Sequence, residues 1–288
     1  MTRRNCPGQL ALFEDGWCQR TTAGRHSWRH TSEGGFDPRR YKVERIKPAQ
    51  ARAFILAHHY LSSYPSVKLP YGLIEGNRLA GVATLGTPTN AKVITNPLPS
   101  LDLRTGADLS RLVLLDEVLA NAESRFIRLL LRDAFNEGVR GVVAFADGVP
   151  RPDAGMPGHV GIIYQASNAD YCGRATAGPL TVLPNGTVLT RRTLQKVRAG
   201  ERGAGGVVRR LVAAGADAPD NPQGDAPWLR RSLRKVRAVN LPHPGVHRFV
   251  IRPGTSRQQR MVPLGEGFEP RPYPKRPDPA PTYRTVAA

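Results

Sequence analysis

The segment AHHYLSSYP, residues 57–65, sets His58, His59 and Tyr60 side by side after the apolar run FILA. Three adjacent side chains able to carry protons at a helix end suit a site facing a cleft, and histidine alone changes charge near neutral pH unaided. Helical neighbours point about 100° apart, so only one of the two imidazoles can enter a given site and the other is structural. A carboxylate comes later: Asp147 follows VVAFA, where an apolar strand would leave a sheet, and open α/β sheets collect ligands at the carboxyl ends of their strands. Asp147 also precedes Gly148, and Asp-Gly is a common turn pair. Tyr164, in IIYQASN, is either a core ring with its hydroxyl at the rim or a group presented to a reaction. His58, Tyr60, Asp147 and Tyr164 are the catalytic candidates.

The elements that must hold these residues follow from hydrophobic period. PAQARAFILAHHY reads as a helix starting near Pro48, and YGLIEGNRLAGVATLG as two strands around the turn EGNR. LSRLVLLDEV reads as a buried strand. In ESRFIRLLLRDAF, Phe126, Leu130 and Ala134 overlap with Ile127, Leu131 and Phe135 as helical stripes, with Asn121 an N-cap and Gly138 a stop. VRGVVAFAD gives a strand, GHVGIIYQASN a short helix, LTVLPNGTVLT a hairpin around Asn185-Gly186, and HRFVIRP a closing strand. RRTLQKVRAGERGAGGVVRRLVAAGA reads as two short helices broken by glycine. The alternation argues an α/β layer structure. Residues 1–39 form a basic arm, 40–253 one catalytic domain, and 254–288 a proline-rich basic disordered tail.

The 288 residues carry 42 Lys and Arg against 23 Asp and Glu, a formal charge of +19, which points to a polyanionic partner, double-stranded DNA first. No apolar run approaches the ~20 residues that span a bilayer and no signal peptide is visible, so the expected location is cytoplasmic. Cys6, Cys18 and Cys172 are too scattered for a disulfide framework. Late in the chain, runs containing Arg209, Arg210, Arg230 and Arg231 could track phosphates or could be ordinary solvated faces. In the N-terminal arm, His26 and His30 have an H-x3-H spacing that, with Cys6 and Cys18, makes a weak candidate for structural zinc.

The order LSRLVLLDEV, ESRFIRLLLRDAF, VRGVVAFAD, GHVGIIYQASN resembles the core of the GNAT acyltransferase fold. More closely, AHHYLSSYP with the hairpin behind it, SRLVLLDE, FAD and YQASN, taken in order and spacing, resemble the Mom family of phage DNA-modification proteins over roughly residues 40–252. The resemblance implies a GNAT-like central mixed twisted sheet flanked by helices. It also implies conversion of the adenine N6 amine in DNA to a methylcarbamoyl derivative that shields phage DNA from host restriction nucleases, inside the host cytoplasm. In such a site Asp147 would take the amine proton and Tyr164 would serve the departing thiolate. Tyr60 would stack on an extruded base and one histidine would relay a proton, while Asn168 could pair with the N6 and N7 edge of adenine.

A GNAT core implies acyl-coenzyme A, acetyl-CoA being the usual form, with its pyrophosphate at the N-terminus of the helix after the central strand. Here that segment is EVLANAES, where Leu119, Ala120, Asn121 and Ala122 replace the family's glycine-rich loop. Asn121 and Ser124 either hydrogen-bond the cofactor or simply cap the helix. The Mom resemblance further suggests iron held by residues such as His58 and His59. Two other functions share parts of this pattern: a GNAT N-acetyltransferase acting on a protein or small-molecule amine, and a non-catalytic DNA-binding protein.

Overall fold

The computed structural model describes residues 17–22, 25–30, 36–61, 63–149 and 158–275. The twelve strands and eight α-helices among the described residues fall into two compact units, one holding those up to 149 with 158–173 and 247–275, the other holding 174–246. The stretch 40–253, read from sequence as one domain, thus contains a unit of its own from 174 to 246.

In the first unit the strands are β1 (Trp17–Thr22), β2 (Arg25–His30), β3 (Tyr41–Arg45), β4 (Val67–Glu75), β5 (Arg78–Gly86), β6 (Gly106–Leu114), β7 (Gly141–Ala146), β8 (Asp170–Arg174) and β12 (His247–Ile251). Its helices are α1 (Pro48–His58), α2 (Lys92–Thr95), α3 (Ala122–Asn136), α4 (Ile162–Gln165) and α8 (Ser256–Arg260). A seven-stranded sheet runs in the order β3-β4-β5-β6-β7-β12-β8, giving a mixed α/β architecture with helices flanking it. β3–β4, β4–β5, β5–β6 and β7–β12 pair antiparallel; β6 and β7 run parallel. That parallel pairing lasts only from Gly106 opposite Gly141 to Asp108 opposite Val143. Beyond it Ser110–Leu114 and Ala144–Ala146 have no ladder between them. On the other side of β6 a register shift between Thr84 and Leu85 leaves Ser110 the extra residue. A β-bulge of this kind bends a strand and re-aims the next side chain, here Arg111.

The α3 stripe packs as its period requires: Phe126, Ile127 and Leu130 are wholly buried, with Leu131 and Ala134 beside them. Phe135 departs from the expected stripe, being half-buried beneath the Arg140 guanidinium at 4.1 Å from its ring centre. Gly138, at φ +93°, stops the helix as its sequence position suggests. The hairpin turn EGNR falls at Gly76-Asn77 between β4 and β5. The expected disordered tail is partly built into the fold: α8 is capped by Thr255, and Val262, Leu264 and Phe268 join Ile94, Leu98 and Val250 in an apolar cluster. Arg271 N–H donates to the Tyr171 carbonyl at 2.8 Å, and the Tyr273 hydroxyl to that of Ala169 at 3.0 Å. Apolar residues spaced without period need no helix to find a groove; an extended segment delivers them equally well.

β1 and β2 form a hairpin within the expected arm, pairing Cys18 with Arg29, Thr21 with His26 and Trp17 with His30. Period two puts position 18 on one face of that ladder and positions 26 and 30 on the other. Cys6 lies outside the described residues.

The second unit contains β9 (Gly178–Val182), β10 (Val188–Leu189), β11 (Val239–His243), α5 (Arg191–Arg198), α6 (Ala204–Ala213) and α7 (Ala226–Lys235). Its sheet has the order β10-β9-β11, and the β9–β10 hairpin turns at Asn185-Gly186 as read from sequence. Leu194, Val197, Val207, Leu211, Trp228 and Leu229 of the three helices bury together. The Trp228 indole donates to the Asp217 carbonyl at 3.0 Å, and Asp225 caps α7 through the Trp228 N–H at 2.6 Å. The unit closes on itself where Ala175 N–H meets the Val246 carbonyl at 2.8 Å. Gly245 permits this approach, because a Cβ there would lie 1.9 Å from the Ala175 carbonyl oxygen.

Candidate active site

The first unit brings together residues that lie far apart in sequence. Tyr164, on α4, is buried with its ring 5.2 Å from that of Phe249 on β12. Burial pushes its phenol far above the ordinary tyrosine range, and the nearby Tyr60 adds to the rise. Tyr60 also faces Arg111, whose guanidinium burial pulls below its ordinary value while Tyr60 and Asp108 hold it up. Tyr60 is therefore an electrostatic neighbour of both Tyr164 and Arg111, the latter on the part of β6 beyond its ladder with β7. His59 stacks on Tyr60, ring centres 4.3 Å apart, and its Nδ1 accepts from the Leu61 N–H at 2.9 Å. That bond orients the imidazole and thereby braces the phenol. His58 takes the other direction, its ring 4.6 Å from Phe54 and its buried Nδ1 without a hydrogen-bond partner. His59 lies past the helix as its extended C-cap, so the helical spacing does not set its direction, and it is His59 that shares a stack with Tyr60.

Arg111 is fixed from two sides. One terminal nitrogen donates to the Ser110 carbonyl at 2.7 Å, and the other to the Ser63 carbonyl and hydroxyl at 3.1 and 3.0 Å. Its buried Nε carries no hydrogen-bond partner. Next to it the Ser110 hydroxyl donates to Asp108 Oδ2 at 2.9 Å, while Asp108 Oδ1 is buried without a partner. A Cβ at Gly86 would lie 2.2 Å from the Ser110 hydroxyl and 2.7 Å from Asp108 Oδ1, so only glycine leaves this pair room. Desolvation pushes the Asp108 carboxyl above its ordinary range, outweighing Ser110 and Arg111. The native state thus holds this proton more tightly than the unfolded chain does. Stability is greatest below the unfolded titration and falls as pH rises through the folded one. Asp108→Asn is expected to raise the melting temperature at neutral pH, with the gain shrinking as pH falls toward about 4; thermal unfolding at several pH values measures this.

Asp147 leaves β7 where the sequence places it. Its Oδ1 accepts from the Val149 N–H at 3.1 Å and its carbonyl from the His159 N–H at 2.8 Å, so a turn role is present. The following Gly148 passes His247 closely: a Cβ there would lie 3.0 Å from Nε2. His247 is buried, its Nδ1 2.9 Å from the Tyr171 hydroxyl, and Tyr171 packs on Phe249 at 5.3 Å between ring centres. A continuous file of rings therefore runs from the end of β7 through His247, Tyr171 and Phe249 to Tyr164. His247, Tyr171 and Arg111 were not among the residues singled out by sequence. The one available signal was the arginine in SRLVLLDE, a charge inside an otherwise apolar strand.

Asn121 starts α3 in a left-handed conformation at φ 71° with no side-chain cap; its carbonyl accepts from the Ser124 hydroxyl at 3.3 Å. Asn168 is exposed, also left-handed at φ 56°, and ends the turn after α4. Arg209 and Arg210 on α6 and Arg230 and Arg231 on α7 are exposed in the second unit. Coenzyme A fits the start of α3 poorly, because the buried carboxylate of Glu123 occupies the first turn, where an anion would seek the helix dipole. Among the described residues no three His, Cys, Asp or Glu side chains are grouped to hold a metal ion, and His59 Nδ1 is engaged by Leu61. Nor is any helix among them long and apolar enough to cross a membrane.

Residues 40–216 match the Mom protein family, and the chain belongs to that family. One relative is the methylcarbamoylase Mom of Escherichia phage Mu, 30% identical over 142 residues, which is 48% of this chain and 56% of the relative. The match thus spans little more than half the length of that relative.

Proposed function

We propose that this protein is a phage DNA-modification enzyme that converts the N6 amine of adenine in duplex DNA to a methylcarbamoyl derivative. The observation that carries the reading is that Tyr60 neighbours both Tyr164 and Arg111, on the part of β6 beyond its ladder with β7, with Asp147 at the end of β7, in a Mom-family chain. The parallel β6–β7 ladder, which ends after Asp108 and Val143 in a sheet with four antiparallel pairs, supports a GNAT-type wedge, in which an acyl-type donor would lie between the two strands. The N6 amine is paired inside the duplex, so the base must leave the stack to react. Asp147 accepts the amine proton as the new bond to N6 forms and the bond between the transferred group and its donor breaks, the departing group leaving with that electron pair. Tyr60, braced by His59, offers a ring for the extruded base. Tyr164, kept protonated by burial, acts as a hydrogen-bond donor. The fixed charge of Arg111 favours negative charge developing on the transferred group. Coenzyme A contacts at Asn121 and Ser124 form no part of this route, and the donor's class remains acyl-type only.

The second unit would hold the DNA. Between residues 174 and 246 Lys and Arg outnumber Asp and Glu by thirteen to four. Replacing Arg230 and Arg231 by alanine is expected to weaken binding uniformly across sequences. It should also flatten the dependence of log affinity on log salt by ~0.9 per lost phosphate contact; fluorescence anisotropy over a salt series measures both. Plasmid DNA from cells producing the protein is expected to resist restriction nucleases whose sites contain adenine. Full cleavage of that DNA at good expression contradicts the proposal.

A further inference from the structure

The small sheet of the second unit has two unlike faces. Residues directly opposite in an antiparallel ladder share a face. On one side lie Thr181 and Leu189, both buried, with Leu189 in the cluster formed by the helices. On the other side the ladder pairs Val182 with Val188 and Val239, and Leu180 with Leu241. This second face is aliphatic along these pairs, with Gly178 opposite the buried His243 at its end, yet Val239 is 56% and Leu241 50% exposed. Both sit on β11, an edge strand, followed by the exposed Pro242 and preceded by the exposed Arg237.

An aliphatic sheet face left open to water calls for an occupant. A second copy of the chain would bring together two units that each carry the same thirteen-to-four excess of positive charge, and like charges at contact oppose that pairing. A polyanion is attracted by the same excess. Duplex DNA has an apolar interior reached through its minor groove, and proteins that open it insert residues such as Leu and Pro between base steps. We propose that the outer face of β9 and β11 is a minor-groove contact surface on which Leu241, supported by Val239, wedges between base pairs and kinks the duplex. This deepens the DNA-modification reading, because a kinked, unstacked site is cheaper to open for an extruded base. It requires only DNA binding, so it stands or falls separately from the chemistry at Asp147.

The test uses the full chain and a short duplex carrying a donor and an acceptor dye at its two ends. The wild type is expected to raise energy transfer on binding. The double variant Val239→Ala, Leu241→Ala is expected to bind roughly tenfold more weakly, the scale of losing apolar contacts. Its salt dependence should be unchanged, because no charge is removed, and its transfer change should be lost. Both residues are exposed, so circular dichroism of the variant should match the wild type. Affinity within twofold of wild type overturns the proposal, as does an unaltered transfer change. A wild-type dimer in sedimentation that the double variant abolishes also overturns it, by making a second copy the occupant.

Discussion

Asp147→Asn is expected to leave the fold intact and to cut adenine modification about 100- to 10,000-fold, the range supplied by a positioned general base. The substitution separates the two roles that geometry gives this residue. Asparagine keeps a side-chain oxygen for the Val149 N–H, now 3.1 Å from Asp147 Oδ1, so the turn after β7 persists. What it removes is the capacity to accept a proton. If the residue serves the turn alone, modification in cells producing the variant equals that of the wild type. Asp147→Ala removes both roles, so any extra loss of stability in it over the asparagine variant reports the turn. Nucleoside analysis for modification and thermal unfolding for stability complete the comparison.

Phe249→Ala is the second large effect, and it falls on stability first. The side chain is wholly buried and its ring meets Tyr164 at 5.2 Å and Tyr171 at 5.3 Å. Its rim also fills the space beside Gly161, where a Cβ would come within 2.5 Å of the ring. Truncation removes one of the largest core side chains and leaves a cavity, costing about 3–5 kcal/mol. Activity should fall further than the folded fraction does, because Tyr164 loses the surface that positions it. Tyr164→Phe keeps the ring packing and should cost little stability while lowering modification. An unfolding free energy from urea titration for Phe249→Ala within about 1 kcal/mol of wild type would contradict the role given to this contact.

Much of the scaffold is legible in the chain. The α3 stripe from Phe126 to Ala134 has an unambiguous helical period, and Gly76-Asn77 and Asn185-Gly186 mark their hairpins because each supplies a positive-φ turn. Strand β8, with the sequence DYCGR, shows no alternation of apolar and polar residues, and β3 and β11 are short and largely exposed, so nothing local announces them. The tail residues Val262, Leu264 and Phe268 carry no period at all; their burial is a tertiary outcome. In the site, Tyr60, Asp147 and Tyr164 were legible by side-chain chemistry at element ends. Arg111 was hidden within an apolar strand, and its orientation comes from a bulge that depends on the partner strand β5. The contact of His247 with Tyr171 depends on β12 entering the sheet between β7 and β8, after an intervening unit of some seventy residues. No local pattern encodes that return.

The central claim is that Tyr60, Arg111, Tyr164 and Asp147 form one adenine-modifying site. Its most direct test is mass analysis of deoxyadenosine from DNA of cells producing the wild type, Asp147→Asn, or Arg111→Lys. The account predicts a mass-shifted deoxyadenosine in the wild type that nearly vanishes in both variants. Unshifted deoxyadenosine in the wild type at good expression contradicts it, and so does full modification in both variants.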